Sequence, residues 1–285
     1  MDQKIINLYD EYTHKPLTRQ EFIRRLSLLT GSTALAMGLI PMLESNYAKA
    51  ETVSEQDGDL IIEDVKWPGD GAEMKGYLAR PKKEGKKGSV LVIHENRGLN
   101  AHIKDVARRV AKAGYIALAA DALAPFGGTP ENEDVARAQF ANIDPAKNLN
   151  NFLKALDYLR KRPDSNGKTA CVGFCWGGAL ANQLAVHDPK LQAAVAYYGR
   201  QPEAADVPKI KAKLMLHYGG LDERVNAGIP DYEKALKTAG VSYQLFVYEG
   251  ANHAFNNDTA PARYDEKAAK LAWERTLGLF KSTIS

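Results

Sequence analysis

The segment Gly173-Phe174-Cys175-Trp176-Gly177-Gly178 follows an apolar run, Lys168-Thr169-Ala170-Cys171-Val172, and precedes the small-residue stretch Ala179-Leu180-Ala181-Asn182-Gln183-Leu184-Ala185-Val186. That order predicts a strand, a sharp turn and a helix. Glycines on both sides of the turn residue permit a strained backbone that thrusts its side chain out above the strand end, as in a nucleophile elbow with cysteine where serine usually stands. Cys175 is the candidate nucleophile. A cysteine in a glycine-rich turn is more often a small buried hydrophobe, so the reading needs partners elsewhere in the chain.

Partners occur in the order nucleophile, acid, histidine. The apolar run Leu214-Met215-Leu216-His217-Tyr218 leads into a Gly219-Gly220 turn that carries Asp222, and the alternating run Val241 through Tyr248 is followed by Gly250-Ala251-Asn252-His253-Ala254-Phe255. Each candidate falls just past the C-terminal end of a strand, the edge at which open parallel sheets place their ligands. Asp222 also has a plain reading as a turn residue capping a backbone N–H, and Glu223 is its rival carboxylate.

The 285 residues, 45% apolar, suffice for one sizeable core. Net charge is +3 with both signs interspersed, and no basic stripe with interleaved aromatics suggests a nucleic-acid partner. The two cysteines, Cys171 and Cys175, are separated by roughly 13 Å if the chain between them is extended, beyond the ~7 Å reach of a disulfide. Cys171 reads as core filler. No Cys/His group has zinc-like spacing, so no metal is expected.

Residues 1–50 differ from residues 51–285. Positions 26–43 are apolar and free of charge, follow Arg19, Arg24 and Arg25, and precede Ala48-Lys49-Ala50, a small-residue sequence of the cleavage-site type. Thr18-Arg19-Gln20-Glu21-Phe22 resembles a twin-arginine box with Gln20 in place of the second arginine. Two readings stand: an export signal, with a periplasmic or otherwise exported product, or a retained helical arm on a cytoplasmic protein, packing on the rest of the chain or on a second subunit. Stable membrane insertion is not expected.

Beyond residue 50, two antiparallel strands (60–67, 73–79) precede alternating strands and helices: strands at 90–93, 115–120, 168–173, 193–198, 213–218 and 242–248, helices at 103–113, 146–160, 179–186, 232–239 and 265–281. Near-continuous apolar strands between helices imply a mostly parallel sheet covered on both faces. The expected fold is the α/β-hydrolase fold.

Gly173-Phe174-Cys175-Trp176-Gly177-Gly178, Tyr197-Tyr198-Gly199, Asp222 after its glycine turn, His253-Ala254-Phe255 and the early His94-Glu95-Asn96 together resemble the dienelactone hydrolase family, from about residue 60 onward. The resemblance implies hydrolysis of an enol-lactone or related small ester without a cofactor. It also implies that Glu95 restrains the resting cysteine. Family members acting on dienelactone hold the substrate carboxylate with arginines, one of them shortly after the catalytic histidine, where this chain has Asn256, Asn257 and Asp258. Arg97, Arg137 and Arg200 are candidate replacements, with Tyr197, Trp176 and Phe126 as candidate apolar walls.

An unperturbed thiol, with pKa near 8.5, is only a few per cent thiolate at neutral pH and needs a neighbouring imidazole. His253 is assigned that task, Asp222 holds its ring, and the backbone N–H groups of Trp176 and Asn96 are the expected oxyanion donors, each worth about 3 kcal/mol of barrier. Glu95 reads alternatively as a loop carboxylate paired with Arg97. His94 and His217 read as core or rim residues; His14, His102 and His187 read as surface residues. A thioesterase or broad esterase would use the same machinery. A redox sensor would use only the cysteine, and Cys171 is poorly placed to resolve it.

Overall fold

An apolar strand is stable only if both of its faces are covered, and in the computed structural model, which describes residues 1–15, 17–46 and 51–285, the inner strands of an eight-stranded sheet receive that cover from helices. The strands are β1 (Leu60–Pro68), β2 (Glu73–Pro81), β3 (Lys87–Ile93), β4 (Ile116–Ala120), β5 (Ser165–Phe174), β6 (Ala193–Tyr197), β7 (Lys213–Gly219) and β8 (Tyr243–Tyr248). They form one sheet in the order β1-β2-β4-β3-β5-β6-β7-β8. The β1–β2 and β2–β4 pairs are antiparallel and every later pair is parallel.

The helices are α1 (Gln3–His14), α2 (Arg19–Thr30), α3 (Thr33–Leu43), α4 (Ala101–Lys112), α5 (Glu133–Phe140), α6 (Pro145–Lys161), α7 (Trp176–His187), α8 (Glu223–Asn226), α9 (Ile229–Ala239) and α10 (Glu266–Thr283). Period-2 alternation divides β3 between the two cores. Leu91 and Ile93 pack with Phe152 and Leu156 of α6 and Leu180 of α7, whereas Val90 and Val92 pack with Ile103 and Val106 of α4 and Phe280 of α10. Each such aliphatic side chain contributes about 1.5–3 kcal/mol on full burial. This is the α/β-hydrolase fold that the strand order led us to expect. The expected elements all occur, with ends displaced by a few residues. The polar α5, capped by Asn132, lacks a strong apolar stripe and was not anticipated.

The apolar run 26–43 is broken. Gly31 adopts φ +74° and ends α2, then Ser32 caps α3 through its hydroxyl, and the two helices meet at 113°. Among the described residues no single helix is long and apolar enough to cross a membrane. The three helices enclose a small cluster of Tyr9, Tyr12, Phe22, Leu26, Ile40 and Leu43, while Leu28, Leu35, Met37 and Met42 on the α2–α3 hairpin remain exposed. The cleavage-type sequence 48–50 lies outside the described residues.

Candidate active site

The elbow is dictated by close backbone approach. A Cβ on Gly173 would lie 1.9 Å from the Gly177 carbonyl oxygen, and one on Gly177 would lie 2.4 Å from that of Ile93, so β5 can turn into α7 here only with glycine at both places. Cys175 occupies the turn at φ +55° and ψ −111°. Its N–H donates to the Tyr197 carbonyl at 3.0 Å. Among the described residues only Cys175, Tyr198 (φ +39°) and Ala254 (φ +61°) are non-glycine residues with positive φ, and all three border this site. Strain of this kind persists where surrounding structure over-determines it.

Asp222 follows β7 and caps α8, and its two oxygens do different work. One accepts the Val225 N–H at 3.3 Å, the plain role of a turn residue; the other lies 2.5 Å from His253 Nδ1. Asp222 therefore caps α8 and faces the His253 ring at the same time. Glu223 is exposed. The Asp222 carboxylate holds the His253 proton on Nδ1, leaving the Nε2 lone pair directed away, and that buried Nε2 has no hydrogen-bond partner.

The atom hydrogen-bonded to the Cys175 sulfur comes from the other end of the chain. His14 Nε2 lies 3.0 Å from Cys175 Sγ across 161 positions, and its ring stands edge-on to that of His253 with centroids 4.7 Å apart. The expectation of a surface His14 is thus corrected: α1 lays its C-terminal turn over the elbow and buries most of the imidazole. One ring nitrogen each of His14 and His253 and the Cys175 Sγ all lie within 4.8 Å of one another, a grouping with no trace in local spacing. Burial opposes charge on His14, yet the Cys175 sulfur and Asp10 beside it push its pKa up to about 9. His102, also expected at the surface, is buried and faces Asp258 at 3.0 Å. His94 and His217 are core residues: burial lowers the pKa of each.

The remaining candidates divide into two groups. Trp176 begins α7, so its N–H is among those with no acceptor inside the helix, and its indole stacks on His94. Asn96 sits beside the elbow and donates its side-chain N–H to the Thr13 carbonyl at 2.7 Å. Arg200 lines the cavity over Cys175 and makes no ion pair with any described residue. Arg137 lines it too, but its guanidinium lies 4.0 Å over the Tyr12 ring and donates to the Tyr12 carbonyl. Arg97 is buried against Glu133 and Asp134. Tyr197 lies in the core with its hydroxyl on Thr276, and Phe126 is exposed away from the cavity; neither forms its wall. Glu95 is buried, with Tyr198 donating to one oxygen and Asn257 to the other.

The cavity, about 610 Å³, is walled by Thr13, His14 and Leu17 of the N-terminal segment on one side and by Asn96, Phe140, Cys175, Trp176, Tyr198, Arg200 and His253 on the other. Cys171, on the strand that leads into the Cys175 turn, is fully buried. Burial pushes its thiol pKa well up.

This fold, with a small cavity at the C-terminal edge of its parallel strands, defines an α/β-hydrolase, and the comparisons narrow it to hydrolases acting on carboxylic esters. The chain belongs to the dienelactone hydrolase family, whose family model matches residues 74–284. The chain is 30% identical over 282 residues to a protein of Methylorubrum extorquens named as a putative carboxymethylenebutenolidase, covering 94% of this chain and 96% of that one. It is 31% identical over 249 residues to a protein of the same name from Escherichia coli O157:H7, covering 81% and 91%. Among solved structures, the dienelactone hydrolase-like promiscuous phosphotriesterase P91 from metagenomic libraries superposes with TM-score 0.72 at 26% identity, over 80% of this chain and all of that one.

Proposed function

We propose that this protein hydrolyses a small carboxylic ester or enol-lactone through an acyl-Cys175 intermediate. The observation carrying the proposal is the Asp222–His253 pair, 2.5 Å apart, whose imidazole has a ring nitrogen within 4.8 Å of the elbow sulfur and an Nε2 with no hydrogen-bond partner. An oriented imidazole with a free lone pair beside a thiol is the arrangement nucleophilic catalysis requires.

The sulfur, once its proton has passed to an imidazole, attacks the substrate carbonyl. The oxygen that becomes negative meets the N–H of Trp176 at the positive end of α7 and the N–H of Asn96, each worth about 3 kcal/mol of barrier. Collapse transfers a proton to the departing alcohol or enolate and leaves a thioester on Cys175. His253 then takes a proton from water as the water attacks that thioester, and the acid is released with the sulfur restored. Glu95, tied to Tyr198 and Asn257, supports the loop that presents Asn96. Trp176, Phe140 and Tyr198 favour an apolar acyl group. Arg200 is the cation available to a substrate carboxylate, since Arg97 and Arg137 are engaged elsewhere.

Hydrolysis of p-nitrophenyl acetate and of an enol-lactone by wild type and Cys175→Ala, with intact mass recorded after brief exposure, tests the proposal. An acyl adduct on wild type and loss of turnover in the variant are expected. Equal rates without an adduct would end the acyl-cysteine mechanism.

A further inference from the structure

We propose that the N-terminal arm carries a second imidazole–carboxylate pair, His14 with Asp10, which is the resting proton acceptor of Cys175, and that Asp222–His253 is thereby kept neutral for the water step. The inference rests on Cys175 as nucleophile and assigns a catalytic residue outside the stretch that carries the family resemblance.

The arm pair differs from the pair at the sheet edge: His14 Nδ1 donates to the Asp10 backbone carbonyl, and the Asp10 carboxylate stands beside it as a charge. Asp10 and His14 lie four residues apart on α1, and therefore on one helix face, with Asp10 Oδ1 at 3.1 Å from His14 Nδ1. The Asp10 carbonyl and the Thr13 hydroxyl also lie at 2.8 and 3.0 Å from Nδ1, so this nitrogen bears a proton and Nε2 is the free base. Two imidazoles thus present bare Nε2 atoms to one sulfur that carries at most one proton. His14 is the one within hydrogen-bond distance, 3.0 Å, whereas His253 Nε2 has no partner. The Cys175 proton therefore has its hydrogen-bonded acceptor on His14, and His253 Nε2 is left for the attacking water.

The arm is fastened for this task and does not plug the site. Arg224 faces Asp10 at 3.3 Å, Gln3 donates to Asn252 at 2.6 Å, and Tyr12 donates to Asp134 at 2.9 Å. The cavity remains open with the arm in place. In the cycle, His14 Nε2–H gives its proton to the leaving oxygen as the carbonyl–oxygen bond breaks, becoming neutral. His253 Nε2 next takes a proton from the attacking water as the thioester carbon–sulfur bond breaks. That proton returns through the freed sulfur to His14, which restores the starting charges.

The test uses the full chain with His14→Gln and Asp10→Asn, checked by thermal melting, and measures two quantities. One is the pH dependence of iodoacetamide alkylation of Cys175; the other is the acylation burst and the steady-state deacylation rate with p-nitrophenyl acetate. In His14→Gln the alkylation rate at pH 6 and the burst rate are expected to fall about 100-fold, the scale of a positioned base, with deacylation changed less than threefold. Asp10→Asn should show a smaller loss of the same pattern. An unchanged alkylation profile in a folded His14→Gln, or a faster burst, would overturn the inference and leave the acyl-cysteine reading intact; turnover by Cys175→Ala would overturn that reading first.

Discussion

The N-terminal arm and the sheet that it overlies are built on different scales. The sheet draws on two extensive cores, one on each face, and presents Cys175, Asp222 and His253 from the turns that follow β5, β7 and β8. The arm has a cluster centred on Tyr9, Tyr12 and Phe22, exposes Leu28, Leu35, Met37 and Met42, and delivers His14 through side-chain contacts spread along α1. A strand end is a rigid address set by its own backbone. A docked helix is an address only while its fastenings hold, so the two imidazoles at Cys175 should respond very differently to perturbation.

The largest expected effect falls on the sheet side. His253→Ala should lower kcat by roughly 10⁴–10⁶-fold, the scale of losing a triad member, with the melting temperature little changed. A steady-state loss below tenfold would mean that the sheet edge does not supply the base. On the arm side, Phe22→Ala removes a ring stacked on Tyr12 at 4.5 Å and should loosen the arm by about 3 kcal/mol. Trypsin should then cut at Arg19, Arg24 and Arg25 about 100-fold faster while the sheet's thermal transition barely moves; co-operative loss of both would erase the distinction between the regions.

Acidity sharpens the comparison further. The His14 pKa lies above the ordinary 6.5, at about 9, so its contribution to holding the arm is complete below about pH 6.5 and is lost as pH rises through 9. The groups facing it are Asp10, Cys175 and His253, with Arg224 on the far side of Asp10. Hydrogen exchange of α1 should quicken between pH 7 and 10 beyond the base-catalysed intrinsic rate, with β3 and β5 unaffected; a pH-independent protection factor in α1 would contradict the assignment. The smallest effect is expected for Gly31→Ala. Open space surrounds that position, so only the φ of +74° opposes a side chain, at about 1 kcal/mol, and a guanidinium titration of arm proteolysis would resolve it.

Local chemistry explains what could be read in advance. The elbow and the Asp222 turn were visible because glycines flank them, and the strands because their apolar runs are almost uninterrupted. The break at Gly31-Ser32 was also present as a helix stop followed by a capping residue, but the surrounding apolar composition suggested a single segment. His14 was invisible for a deeper reason: nothing near it in sequence marks a contact 161 positions away. The only local sign was Asp10 one helical turn earlier, a spacing common on solvated helices. Tyr197 misled in the opposite sense, since its place at the end of β6 is right for the active edge but its side chain turns to Thr276; Tyr198, one residue on, faces the cavity.

The contacts that fix the elbow are all backbone contacts: Gly173 against Gly177, Gly177 against Ile93, and the Cys175 N–H on the Tyr197 carbonyl. None involves sulfur. The scaffold therefore works as a socket that specifies where a reactive atom stands and is indifferent to which element it is. Cys175→Ser should fold unchanged and place an oxygen at the same point, so that a comparison of the two proteins would isolate what sulfur itself adds to the chemistry.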